Sequence, residues 1–298
     1  MAFDAIETPF GKANKIVGGS ATYAAYAASY FVKKINQISI IGYDFPQDEM
    51  NAMAARGISM EGVERVKNKK SFFWKGRYHE DMNSRDTLVT DLNVLADFNP
   101  LVPQNYQGAE FVLLGNLMPK LQISVIDQLK KKPKLVVMDT MNFWMETAMD
   151  DLKKVLKRVD LLLVNDAEAR QLTHTHSLVK ASKKIMEMGP KYLVIKKGEH
   201  GALLFHKNKV FFAPAFPLED VFDPTGAGDT FAGGFIGYLA KTNSISFENM
   251  KKAIIMGSVM ASFCVEKFGN SRLKELTRAD INKRLKQFKE LTNFETTL

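Results

Sequence analysis

Four short apolar runs, separated by helical patterns, constrain this chain more than any other feature. Residues 110–114 (EFVLL), 134–138 (KLVVM), 161–164 (LLLV) and 192–196 (YLVIK) have the length and the Val, Ile and Leu content of buried strands. Helical patterns lie between them at residues 121–131, 151–157, 167–172 and 178–188. Strands that are apolar on both faces and alternate with helices imply an α/β fold. The expected architecture is a doubly wound, mainly parallel sheet with helices on both faces. After residue 198 the rhythm changes. Residues 202–205 and 209–213 flank a polar turn and predict a hairpin, and helical patterns follow at 226–240, 247–265 and 278–291. The last few residues read as frayed.

Two early regions break the rhythm. Residues 8–17 are short and mixed, and residues 71–95 hold two strand-like runs around a polar bridge at 80–84. They predict a small sheet apart from the main one. No repeat or Pro/Gly-rich linker divides the chain, so one domain over 1–298 is expected, with that small sheet as an excursion.

Residues 223–234 read DPTGAGDTFAGG and open a helical stretch. Asp223 and Pro224 begin a turn. Gly226 and Gly228 permit backbone shapes closed to other residues and keep side chains away. Successive amides at the start of a helix make an anion-binding pocket, here from Gly226, Ala227 and Gly228. Asp229 lies in the first helical turn, where the helix dipole is expected to keep it ionised. A carboxylate beside a phosphate cradle suits a general base that takes the proton of an attacking hydroxyl. The plainer alternative is a glycine-rich cap whose small residues Gly226, Thr230, Gly233 and Gly237 pack against a sheet; it leaves the glycines flanking Ala227 unexplained. A dinucleotide fingerprint needs glycine where Phe231 stands, and no Gly-Lys-Ser/Thr ends a phosphate loop.

The segment DPTGAGDTFAGG closely resembles the C-terminal signature of the ribokinase-like (PfkB-type) family of carbohydrate and nucleoside kinases, and the likeness runs from Asp4 to about Leu273. The resemblance implies a ribokinase-like fold with a small β-sheet lid, formed here by about residues 8–17 and 71–95. It also implies ATP and Mg2+ as cofactors. Asp229 matches the catalytic base, and Gly226, Ala227 and Gly228 match the anion hole. Asn165 and Glu168 match a motif near Mg2+ and the phosphates, although alone they read as a helix cap. Lys197, Gly198 and Gly201 match a loop that lines the nucleotide. Asp139 and Asn142 match an element near the phosphate path. Asp4, Gly18 and Gly19 match the acceptor site, and Tyr23 stands where the family carries an acceptor-binding Asn. An aromatic there either stacks on a ring or fills core. Asp223 and Thr225 match positions that hold a monovalent cation, K+, in some relatives; Asp223 is equally well explained as a turn residue. The family's first strand begins several residues before the acidic position, whereas Met1 is three residues from Asp4, so a shortened strand of the central sheet is expected.

The acceptor is expected to be a small sugar, or a nucleoside within the same family. A non-catalytic ligand-binding protein on the kinase fold is the alternative of another class. Phe72, Phe73, Trp74, Tyr78 and His79 could shape the acceptor pocket, though lid packing or a dimer contact is the simpler role for each; an exposed apolar lid face would suit a homodimer. The formal net charge of +8 sits in runs such as Lys130, Lys131 and Lys132, which read as solvated faces and not as a nucleic-acid site. The single Cys264 lies in an apolar segment and argues against a disulfide framework. No apolar stretch reaches the length of a membrane span, and no signal-peptide pattern opens the chain. The cytoplasm is the expected location.

Overall fold

A computed structural model describes residues 1–293, and the frayed-end expectation falls partly on residues 294–298, outside the described residues. The N-terminal part forms β1 (Ala2–Thr8), β2 (Gly11–Gly18), α1 (Ser20–Ala28), β3 (Ile35–Gly42), α2 (Gln47–Ala55), β4 (Ile58–Val66), β5 (Phe73–Tyr78) and β6 (Arg85–Asp91). The chain continues through β7 (Phe111–Leu114), α3 (Pro119–Asp127), β8 (Leu135–Asp139), α4 (Asn142–Thr147), α5 (Met149–Leu156), β9 (Leu161–Asn165), α6 (Asp166–Thr173), α7 (Leu178–Glu187) and β10 (Tyr192–Lys196). It ends with the hairpin β11 (Ala202–His206) and β12 (Lys209–Ala213), then α8 (Ala227–Thr242), α9 (Phe247–Cys264), α10 (Ser271–Glu275) and α11 (Arg278–Thr292).

The main sheet has six strands in the order β12-β11-β10-β9-β8-β7, with β7 to β10 parallel and the hairpin antiparallel. Alternation of side chains sends the two halves of each strand to two cores. Val136, Met138, Leu162, Val164, Leu193 and Ile195 pack under helices α3 to α7. Leu135, Val137, Leu161, Leu163 and Val194 pack on the other face beneath α8 and α9. Both faces are therefore covered, as the unbroken apolar strands require.

The small sheet has the order β2-β1-β5-β6, and β3 pairs in parallel only with β4. The expectation of a shortened first strand in the central sheet needs correction. Among the described residues strand β1 pairs with β2 and β5, so it is an inner strand of the small sheet. Its apolar side chains account for this: Phe3 joins a third core made with α1, α9 and α11. Strands β3 and β4 and helix α1 had no counterpart in the strand-helix rhythm read from residue 110 onward. Among the described residues no helix is long and apolar enough to cross a membrane.

Candidate active site

Parallel strands end on a common edge, and in open α/β sheets ligands bind beyond the strands' carboxyl ends. Three adjacent strands deliver polar residues there: Asp139 ends β8, Asn165 ends β9 and Lys196 ends β10. Lys196 and Asn165 are paired neighbours in the ladder. The Lys196 ammonium donates to Asp139 Oδ1 at 3.1 Å, and both side chains are largely buried. Asn142 begins α4 as an exposed residue with no side-chain hydrogen bond among the described residues, which join Asp139 to Lys196 and not to Asn142.

Asn165 and Glu168 form a reciprocal capping box at the start of α6. The Asn165 amide donates to Glu168 Oε2, and the Glu168 amide donates to Asn165 Oδ1, each at 2.7 Å. The capping reading of this pair is thus realised, and the pair still stands beside Lys196. Burial first, then Asp139, pushes the Glu168 carboxyl up to about 7, against the pull of Lys196.

The turn before α8 is built by Asp223, which is fully buried. Its Oδ1 accepts from the Thr225 amide and its Oδ2 from the Gly269 amide, both at 2.8 Å. Both oxygens are spent on main-chain N–H groups, which is the turn-residue role. Thr225 Oγ1 donates to Tyr78 Oη of β5 at 3.2 Å, so the small sheet touches this turn. Gly226 takes a left-handed conformation at φ 75°, and the 16-residue helix α8 starts directly after it. The Ala227 amide donates to Pro224 O at 3.1 Å and is engaged within the turn. The amides of Gly228 and Asp229 have no partner among the described residues, as expected for the first turn of a helix.

Asp229 is partly buried at this helix start. The helix dipole alone was expected to keep it ionised, but burial and then the nearby Asp139 raise its proton affinity, while Lys196 and a hydrogen bond from Ser20 oppose them. Desolvation is the largest of these influences. A second correction concerns the small residues of α8. A Cβ on Gly233 would stand 2.2 Å from Ala24 O, and one on Gly237 would stand 2.9 Å from Ala28 Cα. They admit helix α1, not a sheet.

Asp4 lies 5% exposed, with the Gly19 amide donating to its carboxylate. Burial first, then Asp223, pushes its carboxyl up to about 7. A Cβ on Gly18 would stand 1.8 Å from Asp4 Oδ2, so glycine is required where that carboxylate passes. Tyr23 is 1% exposed, and its ring lies against Gly226. The ring belongs to the core shared with Phe3 and Tyr26. Gly198 and Gly201 bend the β10–β11 connection at φ 56° and 83°. Lys197 lies over the Phe212 ring at 5.8 Å. Asn83, at the tip of the β5–β6 turn, approaches Gly198 so closely that a Cβ there would meet Asn83 Oδ1 at 2.6 Å. The small sheet thus reaches both the α8 turn and the Gly198 loop, as a lid must.

Lys196 was not singled out in the sequence. Its one signal was a lysine closing the apolar run YLVIK, and its value depends on which strands lie beside it.

Comparison with known proteins agrees with this geometry. The model of the pfkB family carbohydrate kinases matches residues 7–276. A cytidine kinase of Thermococcus kodakarensis is 29% identical over 79% of this chain and 84% of its own length. A ribokinase of Haemophilus influenzae is 26% identical over 85% and 82%. Among solved structures, a Burkholderia thailandensis nucleoside kinase in complex with inosine has a TM-score of 0.75 at 21% identity, covering 96% of this chain and 95% of that one. A putative ribokinase II from E. coli with ATP and Mg2+ has a TM-score of 0.77 at 16% identity, covering 96% of each chain. At these identities the structural likeness speaks for the fold.

Proposed function

Because the chain belongs to the PfkB carbohydrate kinase family, we propose that it transfers the γ-phosphoryl group of ATP to a hydroxyl of a small sugar-type acceptor, with Asp229 as the general base. The observation that carries this reading is the pairing of Asp229 with two unpartnered amides, its own and that of Gly228, at the start of α8. An anion seated on those amides stands next to the carboxylate that receives the proton. The raised proton affinity of Asp229 makes it a stronger base than an exposed aspartate once ionised. As the hydroxyl oxygen bonds to phosphorus, its proton passes to Asp229, and the bond from phosphorus to the bridging oxygen breaks to leave ADP. The free amides stabilise charge spread over the phosphoryl oxygens.

The residues present fit a magnesium ion. Asp139, Asn165 and Glu168 offer hard oxygen atoms at one edge of the sheet. Among the described residues no group of three or more His, Cys, Asp or Glu side chains is placed to hold a metal ion, so the ion would take its remaining ligands from water and phosphate. Such an ion would neutralise phosphate charge when bound. Asp4, with the backbone at Gly18 and Gly19, holds acceptor hydroxyls in this reading, and the small sheet closes over them to exclude water. Its outer strand β6 is exposed at every residue, including Leu88 and Val89, and is the edge a second copy would cover.

A nucleoside acceptor is the second reading, favoured by the long match to the cytidine kinase relative. A panel of pentoses, hexoses and nucleosides scored by ADP release separates the two. Asp229→Asn should lower kcat by about 10²–10⁴ with nucleotide affinity nearly unchanged. Normal turnover in that variant would contradict the assignment of the base.

A further inference from the structure

We propose that Lys196 is the cation that grips the transferring γ-phosphoryl group above the Gly228 amide, an assignment that rests on the kinase reading of this site. Three features of the geometry point there. The first is unused donor capacity. A lysine ammonium has three N–H groups, and the described residues offer Lys196 one acceptor, Asp139 Oδ1 at 3.1 Å. The side chain is 18% exposed, so its remaining donors sit largely out of bulk water. An under-satisfied buried ammonium is costly unless a ligand completes it.

The second feature is position. A Cβ on Gly228 would stand 3.0 Å from Lys196 Nζ. Gly228 is not among the glycines with positive φ, so its backbone makes no demand for glycine. What the missing side chain leaves room for is the ammonium. The Gly228 and Asp229 amides beneath it have no partner among the described residues. The ammonium thus stands beside the residue that carries one of these amides, and in the proposal an anion that accepts from them also accepts from Lys196.

The third feature is the charge around it. The Lys196 ammonium stands 3.1 Å from Asp139 Oδ1, with the two side chains 18% and 9% exposed. Asp139 anchors it from one side and leaves its other side to the pocket.

The test compares nucleotides with and without a γ-phosphoryl group, and needs no acceptor. Calorimetric affinities of Mg·AMP-PNP and Mg·ADP are measured for the wild-type protein and for Lys196→Met, with circular dichroism checking the fold. The expected result is a loss of about 10–100-fold for Mg·AMP-PNP, the worth of one charge-assisted hydrogen bond, with less than about 3-fold change for Mg·ADP on the same scale of reasoning. Equal losses for both nucleotides, or no loss for either, overturn the proposal while leaving the kinase reading intact. A wild-type protein that binds neither nucleotide overturns the kinase reading itself, and this assignment with it. If the variant does not fold, a crystal structure of the wild-type protein with Mg·AMP-PNP decides. Lys196 Nζ within hydrogen-bond reach of a γ-phosphoryl oxygen supports the assignment, and Nζ bonded to Asp139 alone overturns it.

Discussion

Tyr23→Phe should make the ligand-free protein more stable. The Tyr23 side chain is 1% exposed, and its hydroxyl has no hydrogen-bond partner among the described residues. Its ring packs against Gly226, where three ring atoms stand 2.5 Å from the place a Cβ would occupy. Burial first, then Asp4 and Asp223, drives its proton affinity well up, so the phenol remains an unpaired neutral hydroxyl. An unmade buried hydrogen bond costs about 1–3 kcal/mol. Phenylalanine keeps the ring and the support for Gly226 and loses only the dispersion contacts of one oxygen, about 0.1–0.2 kcal/mol each. The net gain is then about 1–2 kcal/mol, and at ~2–4 °C per kcal/mol for a chain of this size class Tm should rise by about 2–8 °C. Differential scanning calorimetry of both proteins without ligand measures it. An unchanged or lowered Tm would mean that the hydroxyl has a partner in solution, and the reasoning would fail. A second arm uses the acceptor found by the substrate panel. A ring held in the core should leave its KM within about 2-fold, far less than the cost of one lost hydrogen bond. A 10-fold rise would show that the hydroxyl meets the acceptor.

Two further predictions concern the frame around the site. Gly233→Ala would place a methyl 2.2 Å from Ala24 O and 2.7 Å from Ala24 Cα, both backbone atoms that cannot rotate away. It should lower stability by about 1–3 kcal/mol or more by forcing α1 and α8 apart; a variant with wild-type Tm would refute the close packing. The pH dependence of stability should reflect Asp4. Folded, its carboxyl holds a proton up to about 7, whereas unfolded it releases one near pH ~4. Between those values the folded state binds more protons, so this contribution is fully present below about pH 4 and is lost as pH rises to about 7. Asp229 and Glu168, raised in the same direction, act with the same sign. Urea midpoints at pH 5, 6 and 7 should fall with pH in the wild type and fall less in Asp4→Asn; equal slopes would show that Asp4 is not the group.

What could be read from the sequence was what neighbouring residues decide among themselves. The strands ending at Asp139, Asn165 and Lys196 announced themselves by apolar runs, and the α8 turn by Gly226, whose left-handed backbone few other residues adopt. What could not be read depends on which elements meet. The glycines of α8 looked like a face for a sheet because the spacing names a close neighbour without naming its kind; the neighbour is α1, through Ala24 and Ala28. The position of Tyr23 in the motif likewise says nothing of the Gly226 turn that its ring packs against. The raised proton affinity of Asp229 was hidden for the same reason. The helix dipole is local and can be counted from sequence, while Asp139 and Lys196 come from strands 90 and about 33 residues away along the chain. Lys196 is the sharpest case. Alone it is a lysine at the end of a strand, the place where a charged residue ordinarily reaches water. Only the parallel register that sets it beside Asn165, with Asp139 one strand further and Gly228 opposite, turns it into a cation held inside the site. A glycine whose backbone does not need glycine is therefore a pointer to what occupies the space above it, and at residue 228 that occupant is a charge with donors to spare.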